Sequence, residues 1–215
     1  MDFLPKDISL YAEEHTTSES EVLARLNRET HSKIMQPRML SGHIQGRTLS
    51  MFSHMIRPGR ILEIGTYTGY SALCLAEGLA EDGKLITLDI NEELEAFTRS
   101  FFADSGLDSK IDYRIGNAIE IIPDLEEVFD IVFIDADKLN YHNYYHLVFD
   151  KVRTGGYIIS DNVLWSGKVT QIEEGKKVDK DTQAILDFNK MCHEDSRTEN
   201  VLLPIRDGLL ISRKL

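Results

Sequence analysis

From Arg60 onward the chain alternates short apolar runs with longer amphipathic stretches, and this rhythm narrows the possible folds more than any other feature. Runs at 60–64, 84–89, 111–115, 130–134 and 156–160 read as strands, with helices predicted over 70–80, 91–105, 117–124 and 138–152. Each connection is long enough to hold a crossover helix, so these strands are expected to be parallel. The end of the chain breaks the rhythm. A helix predicted over 181–194 precedes two runs, Asn200 to Ile205 and Gly208 to Arg213, with only Arg206 and Asp207 between them. A parallel crossover needs about a dozen residues or more, so these two runs must form an antiparallel hairpin. The expected fold is an open α/β sheet with a reversed edge and helices on both faces, whose ligand sits at the carboxyl ends of the strands.

Ahead of Arg60 the apolar residues recur with helical spacing over Ser18 to Met35 and Gly42 to Ile56, with Pro37 and Gly42 as punctuation. A length of 215 residues suits one domain: helices in 1–59 free for lid or dimer contacts, and the sheet in 60–215. Lys plus Arg number 24 against 36 Asp plus Glu, and the net charge of −12 works against nucleic acid or anionic lipid as a partner. Arg38, Arg47 and Arg57 are the few cations that can gather locally. No apolar run nears the roughly 20 residues that cross a bilayer, and the start lacks a signal-peptide apolar region, so a cytoplasmic location is expected. Cys74 and Cys192 match no metal-ligand spacing and are read as reduced packing residues.

The predicted strand ends carry the chemistry. The first runs into Gly65-Thr66-Tyr67-Thr68-Gly69, a tight turn that lets backbone approach a ligand. Asp89 ends the next strand, where a carboxylate can accept from both ribose hydroxyls of a nucleoside. The turn lacks both Gly-x-Gly-x-x-Gly and the Lys-Ser/Thr of a phosphate loop, which disfavours NAD and an oxidoreductase. Glu63 beside it would repel phosphate but pair with an amine, which favours S-adenosylmethionine. Glycines used for packing and an aspartate used as a helix cap would give the same pattern.

The fourth and fifth strands end in Asp135-Ala136-Asp137-Lys138 and Asp161-Asn162. Adjacent parallel ends converge, so Asp135, Asp161 and Asn162 can offer oxygen ligands at one point, with neither thiolate nor imidazole among them. That set suits Mg²⁺ or Ca²⁺ and leaves positions open for water or substrate. The same residues can equally cap a loop and accept a backbone amide.

The run Glu63-Ile-Gly-Thr-Tyr-Thr-Gly-Tyr-Ser71, with Leu88-Asp89-Ile90, Phe133-Ile-Asp-Ala-Asp-Lys138, Asn140-Tyr141, Asp161-Asn-Val-Leu-Trp165 and Leu203-Pro-Ile-Arg-Asp-Gly208, resembles the cation-dependent O-methyltransferases related to caffeoyl-CoA and catechol O-methyltransferases. The resemblance implies a class I S-adenosylmethionine-dependent methyltransferase, a Rossmann-like fold with a seven-stranded, mostly parallel sheet and an antiparallel C-terminal hairpin. It implies Asp135, Asp161 and Asn162 as ligands of Mg²⁺ (or Ca²⁺ or Mn²⁺), and Lys138 as general base. It implies Met39, Ser41, Glu63, Gly65, Thr66, Ser71, Asp89, Ala118, Asp135 and Asp137 around the cofactor, and a homodimer. Trp165, Ser166 and Tyr141 fall on the substrate side. Two places depart from the plant pattern: Ser166 stands where plant caffeoyl-CoA enzymes tend to have Asn, and the early N-terminus matches loosely.

The implied reaction is methyl transfer from S-adenosylmethionine to a hydroxyl of a small catechol-like phenol. Alternative acceptors are a caffeoyl-CoA-type thioester or a tRNA 5-hydroxyuridine, and the charge makes both less natural than a small phenol. Of the remaining motifs, His142 and His146 are spaced as helical metal ligands but read as one packing and one exposed residue. Tyr141, Tyr144, Tyr145 and Phe149 read as the packed face of a crossover helix, and Glu173-Glu174-Gly175-Lys176-Lys177 as a solvated loop close to the Trp165 segment.

Overall fold

Strands buried on both faces read as continuous apolar runs, and here five of them build the parallel part of one seven-stranded sheet. The computed structural model describes residues 3–172 and 177–215. Strands β1 (Arg60–Ile64), β2 (Lys84–Asp89), β3 (Ile111–Ile115), β4 (Phe129–Ile134) and β5 (Val152–Ser160) pair in parallel. Strands β6 (Thr198–Leu203) and β7 (Leu209–Lys214) add the antiparallel edge. The order is β3-β2-β1-β4-β5-β7-β6. The chain winds outward from β1 to β3 and then returns to the other side of β1, so the order reverses between β1 and β4. A crevice for a ligand opens at such a switch point.

The helices are α1 (Lys6–Glu14), α2 (Glu21–Lys33), α3 (Gly42–Ile56), α4 (Tyr70–Ala76), α5 (Glu95–Ser105), α6 (Ala118–Ile121), α7 (Tyr141–Phe149) and α8 (Lys180–Glu194). Alternation along each strand divides the core in two. Ile61, Leu85, Ile131, Phe133 and Ile159 pack with Leu23, Leu26, Leu49, Leu73 and Phe101 from the helices α2 to α5. Leu62, Ile86, Val132, Ile134 and Ile158 pack on the opposite face with Tyr141, Tyr145 and Phe188 of α7 and α8. The expected burial of the α7 aromatics holds, and both cysteines are free and buried.

Several boundaries differ from the sequence reading. Helix α1 is not among the expected elements; it has no buried residue, and its Ile8, Leu10 and Tyr11 are exposed. The helix expected to reach residue 152 stops at Phe149, and β5 begins at Val152, because Val152 pairs with Phe129 ahead of a register shift in the ladder. Helix α4 ends at Ala76 instead of 80. The hairpin turn extends over Pro204 to Gly208 because Pro204 has no N–H for a ladder and Arg206 turns left-handed at φ +49. His142 and His146 are both exposed, which corrects the expectation that one of them packs. Residues 173–176 of the acidic-basic stretch lie outside the described residues. Among the described residues no helix is long and apolar enough to cross a membrane.

Candidate active site at the strand tips

Gly65 makes the switch point possible. It holds φ +101, and a Cβ there would stand 1.9 Å from the carbonyl oxygen of Asp135. Its own N–H donates to the Leu88 carbonyl at 2.8 Å, while the Asp135 N–H donates to Ile64 O at 2.9 Å. The tips of β1, β2 and β4 are therefore tied together where the first turn begins. Asp89 closes that turn: Oδ2 accepts from the Tyr67 N–H at 2.6 Å and Oδ1 from the Asn91 N–H at 2.8 Å. A carboxylate has about four acceptor sites, so both oxygens retain capacity for a diol.

Glu63 is completely buried. Its Oε2 accepts from the Thr87 hydroxyl, and Thr66 Oγ1 lies 2.6 Å from Thr87 Oγ1. Its Oε1 has no partner among the described residues. Burial pushes the carboxyl up to about 8; the neighbouring Ser71 and Thr87 hydroxyls pull it back, and the charges of Asp135 and Asp89 add to the rise. An orphaned buried acceptor of this kind fits the cationic amine expected of the cofactor. Ser71 and Ala118 are buried nearby in chain terms, each at or near the start of its helix after a strand tip.

The N-terminal segment reaches the same turn. The Tyr67 hydroxyl donates to the carbonyls of Met35 and Gln36, at 3.3 Å each. Ser41 is buried and Met39 is 54% exposed, so of the two residues expected to cover the cofactor only Ser41 is enclosed. Asp137 is also exposed, and its carboxylate is engaged by Asn140 Nδ2 at 2.6 Å and the Tyr144 hydroxyl at 2.5 Å. Of these partners, Tyr144 belongs to α7 and Asn140 immediately precedes it.

Asp135 and Asp161 follow neighbouring strands, with the Asp161 N–H donating to Ile134 O at 2.9 Å. Asp161 is 3% exposed. Burial raises its carboxyl above the ordinary range, the charge of Asp135 raises it further, and Lys138, Gln45 and the Asn162 amide act in the opposite sense. Lys138 is buried too: Nζ lies 3.2 Å from Asp135 Oδ1 and donates to the Tyr141 hydroxyl at 2.6 Å. That hydroxyl donates to the carbonyl of Asp161 at 2.9 Å. The phenol of Tyr141, raised far above its usual range by burial and then by Asp135 and Asp161, stays un-ionised.

Asn162, Trp165 and Ser166 all take left-handed backbone, at φ +57, +46 and +56. Such strain persists only where neighbours fix it. Here the carboxylate of Asp207 accepts from the Ser166 N–H at 2.6 Å and its carbonyl from the Leu164 N–H at 2.9 Å. The Trp165 ring has Lys138 Nζ 5.9 Å from its centroid and Lys168 Nζ at 5.8 Å, and its buried Nε1 lacks a partner among the described residues. Sequence reasoning missed Gln45, whose Nε2 donates to Asp161 Oδ2 at 2.6 Å, and the Asp207 anchor. The available signal was a polar residue four places before Leu49 on the apolar face of α3. Among the described residues no three His, Cys, Asp or Glu side chains form a metal cluster, so the candidate cation set is two carboxylates and one carboxamide.

A seven-stranded sheet of this order, with a Gly-x-x-x-Gly turn at its switch point and an acid on the second strand, defines the Rossmann-like S-adenosylmethionine-dependent methyltransferase class. The sequence profile of the O-methyltransferase family matches residues 13–215. The chain belongs to that family. The caffeoyl-CoA O-methyltransferase of Medicago sativa is 37% identical over 180 residues, 80% of this chain and 73% of that one. Its counterpart in Petroselinum crispum is 36% identical over 197 residues, 87% of this chain and 82% of that one. The SAH-bound methyltransferase PaMTH1 of Podospora anserina superposes with a TM-score of 0.89 at 27% identity, covering 100% of this chain and 99% of that one. The O-methyltransferase TomG of Streptomyces achromogenes, solved in complex with SAM, has a TM-score of 0.86 at 26% identity, covering 97% and 96%. The protein is an S-adenosylmethionine-dependent O-methyltransferase.

Proposed function

We propose that the enzyme methylates one hydroxyl of a small catechol-like phenol, with a divalent cation held by Asp135, Asp161 and Asn162. The observation that carries this reading is the pair of neighbouring carboxylates, Asp135 and a buried Asp161, with a single buried ammonium, Lys138, against them. Their mutual repulsion and all-oxygen chemistry suit a hard dication, Mg²⁺ or its substitutes Ca²⁺ and Mn²⁺. When bound, the cation supplies Lewis acidity to a phenol oxygen.

The remaining chemistry falls to the side chains. A phenol of pKa near 10 is only about one part in a thousand phenolate at pH 7, so a proton acceptor is needed. Lys138 is the residue placed for it once its ammonium has given up a proton of its own, with Nζ fixed between Asp135 and Tyr141 and excluded from bulk water. Glu63, Gly65, Thr66 and Ser71 would hold the methionine end of the cofactor, Asp89 the ribose and Ala118 the adenine, with Met39, Ser41 and Asp137 at the rim. S-adenosylmethionine supplies the methyl group on a sulfonium. Holding it in line with the phenol oxygen contributes roughly 7–11 kcal/mol of barrier reduction. Tyr141, Trp165 and Ser166 would wall the acceptor side.

A caffeoyl-CoA-type thioester is the second reading, favoured by the names of the plant relatives. It shares the vicinal diol with a simple catechol. tRNA is disfavoured by the net charge of −12, and Arg47 is already paired with Glu77 at 2.9 Å. Exposed Tyr11, Met51 and Met55 on the N-terminal helices support the expected homodimer, which light scattering would test. The deciding experiment incubates the enzyme and labelled S-adenosylmethionine with catechol, caffeate, caffeoyl-CoA or bulk tRNA, each in Mg²⁺ and in EDTA. Label is expected on the diol acceptors in Mg²⁺ only. Full activity in EDTA, or label confined to tRNA, overturns the proposal.

A further inference from the structure

Gln45 is 1% exposed, in the middle of the face of α3 that packs inward, with Leu49 one turn on. A carboxamide that deep must spend its donors on the protein. Its Nε2 donates to Asp161 Oδ2 at 2.6 Å, while the Asn162 N–H donates to Oδ1 at 2.6 Å. Each oxygen of Asp161 therefore receives one bond from the protein, and the plane of the carboxylate is set from both sides. The donor's charge matters. A Lys or Arg at position 45 would neutralise Asp161 and compete with a cation, and an acid would repel it. A carboxamide fixes the orientation and leaves the negative charge intact. The entry to α3 is itself anchored, since Arg206 Nη1 donates to Leu40 O at 2.6 Å.

We infer that Gln45 is a positioning residue for the cation site, orienting Asp161 as a ligand from an N-terminal helix outside the sheet. The inference rests on the cation reading given above. Partners that orient metal ligands without touching the metal typically change affinity 10–100-fold when removed.

The test is Mn²⁺ titration of the full-length protein, following free Mn²⁺ by electron paramagnetic resonance, with no turnover involved. Gln45→Met keeps length but loses the donor, and Gln45→Asn keeps the amide but withdraws it by one methylene. Both are expected to weaken Mn²⁺ at least 10-fold. Their affinity for S-adenosylhomocysteine in EDTA, which a merely structural defect would lower, is expected to stay within twofold of the parent. Parent-like Mn²⁺ affinity in whichever variant melts as the parent does overturns the role of Gln45. A parent protein that takes up no Mn²⁺ overturns the cation reading itself, and the inference with it.

Discussion

Replacing Gly65 with alanine probes how the strand tips are joined. The new Cβ would stand 1.9 Å from the Asp135 carbonyl oxygen and 2.7 Å from its carbonyl carbon. The obstacle is backbone, and β4 cannot retreat without breaking the bond from the Asp135 N–H to Ile64 O at 2.9 Å. Holding a non-glycine residue at positive φ costs about 1–2 kcal/mol. Overpacking adds about 1–3 kcal/mol and the lost hydrogen bond about 1 kcal/mol, so the total is roughly 3–6 kcal/mol. For a chain of this size each kcal/mol moves Tm by about 2–4 °C, which puts the fall on the order of 10 °C. Gly106→Ala supplies the comparison: its φ is +73, and nothing lies within 4 Å of the added Cβ, so it bears the backbone cost alone. Scanning calorimetry of the two variants, with S-adenosylmethionine titrated into each, separates strain from collision. The Gly65 variant is expected to melt well below the Gly106 variant and to bind the cofactor weakly. Equal melting of the two would refute the argument that the tips of β1 and β4 are locked by this contact.

Lys138→Met is expected to lower kcat by about 10²–10⁴ with cofactor affinity retained, as befits a proton acceptor; a rate within tenfold of the parent removes it from that role. Asp161→Asn relieves the repulsion with Asp135, so the metal-free variant is expected to melt above the parent while losing the rise in Tm that Mn²⁺ gives; a parent-sized rise rejects Asp161 as a ligand. Glu63, raised to about 8, stays protonated when folded but ionises near 4.5 when unfolded. The folded state then binds the extra proton, so stability of the cofactor-free protein falls as pH rises from about 4.5 to 8. Glu63→Gln should flatten that slope in melting curves, and an unchanged slope assigns it to other groups.

How much of this was legible in the sequence follows from what each signal depends on. Strands β1, β2 and β3 were placed to the residue because an apolar run between turn residues is a local pattern. The start of β5 was not, since Val152-Arg153-Thr154 becomes strand only by pairing with Phe129 across the sheet. The acids at the tips were legible because parallel topology brings strand ends together. The contact of Gln45 with Asp161 was not, because nothing local tells a buried amide on a helix which distant carboxylate it will meet. The exposure of Asp137 was equally hidden: Tyr144 and Asn140 engage its carboxylate only once α7 has formed.

Asp135 links the two halves of the site. Its charge raises Glu63 on one side and Asp161 on the other, and Lys138 Nζ, at 3.2 Å, is its ion-pair partner. Neutralising Asp135 further removes one of the influences that keep Glu63 protonated. Glu63 then moves toward the carboxylate, the form that accepts the N–H groups of an amine. Any cation held at Asp135 should therefore tighten S-adenosylmethionine, and by linkage the cofactor should tighten the cation by the same factor. The coupling needs no conformational change, since it acts through the field of one carboxylate. It should fade in Glu63→Gln, where no proton remains to release. Calorimetric titration of S-adenosylmethionine at pH 7, with and without Mn²⁺, measures it directly. Equal affinities in the two conditions would show that the metal side and the cofactor side of this site are independent.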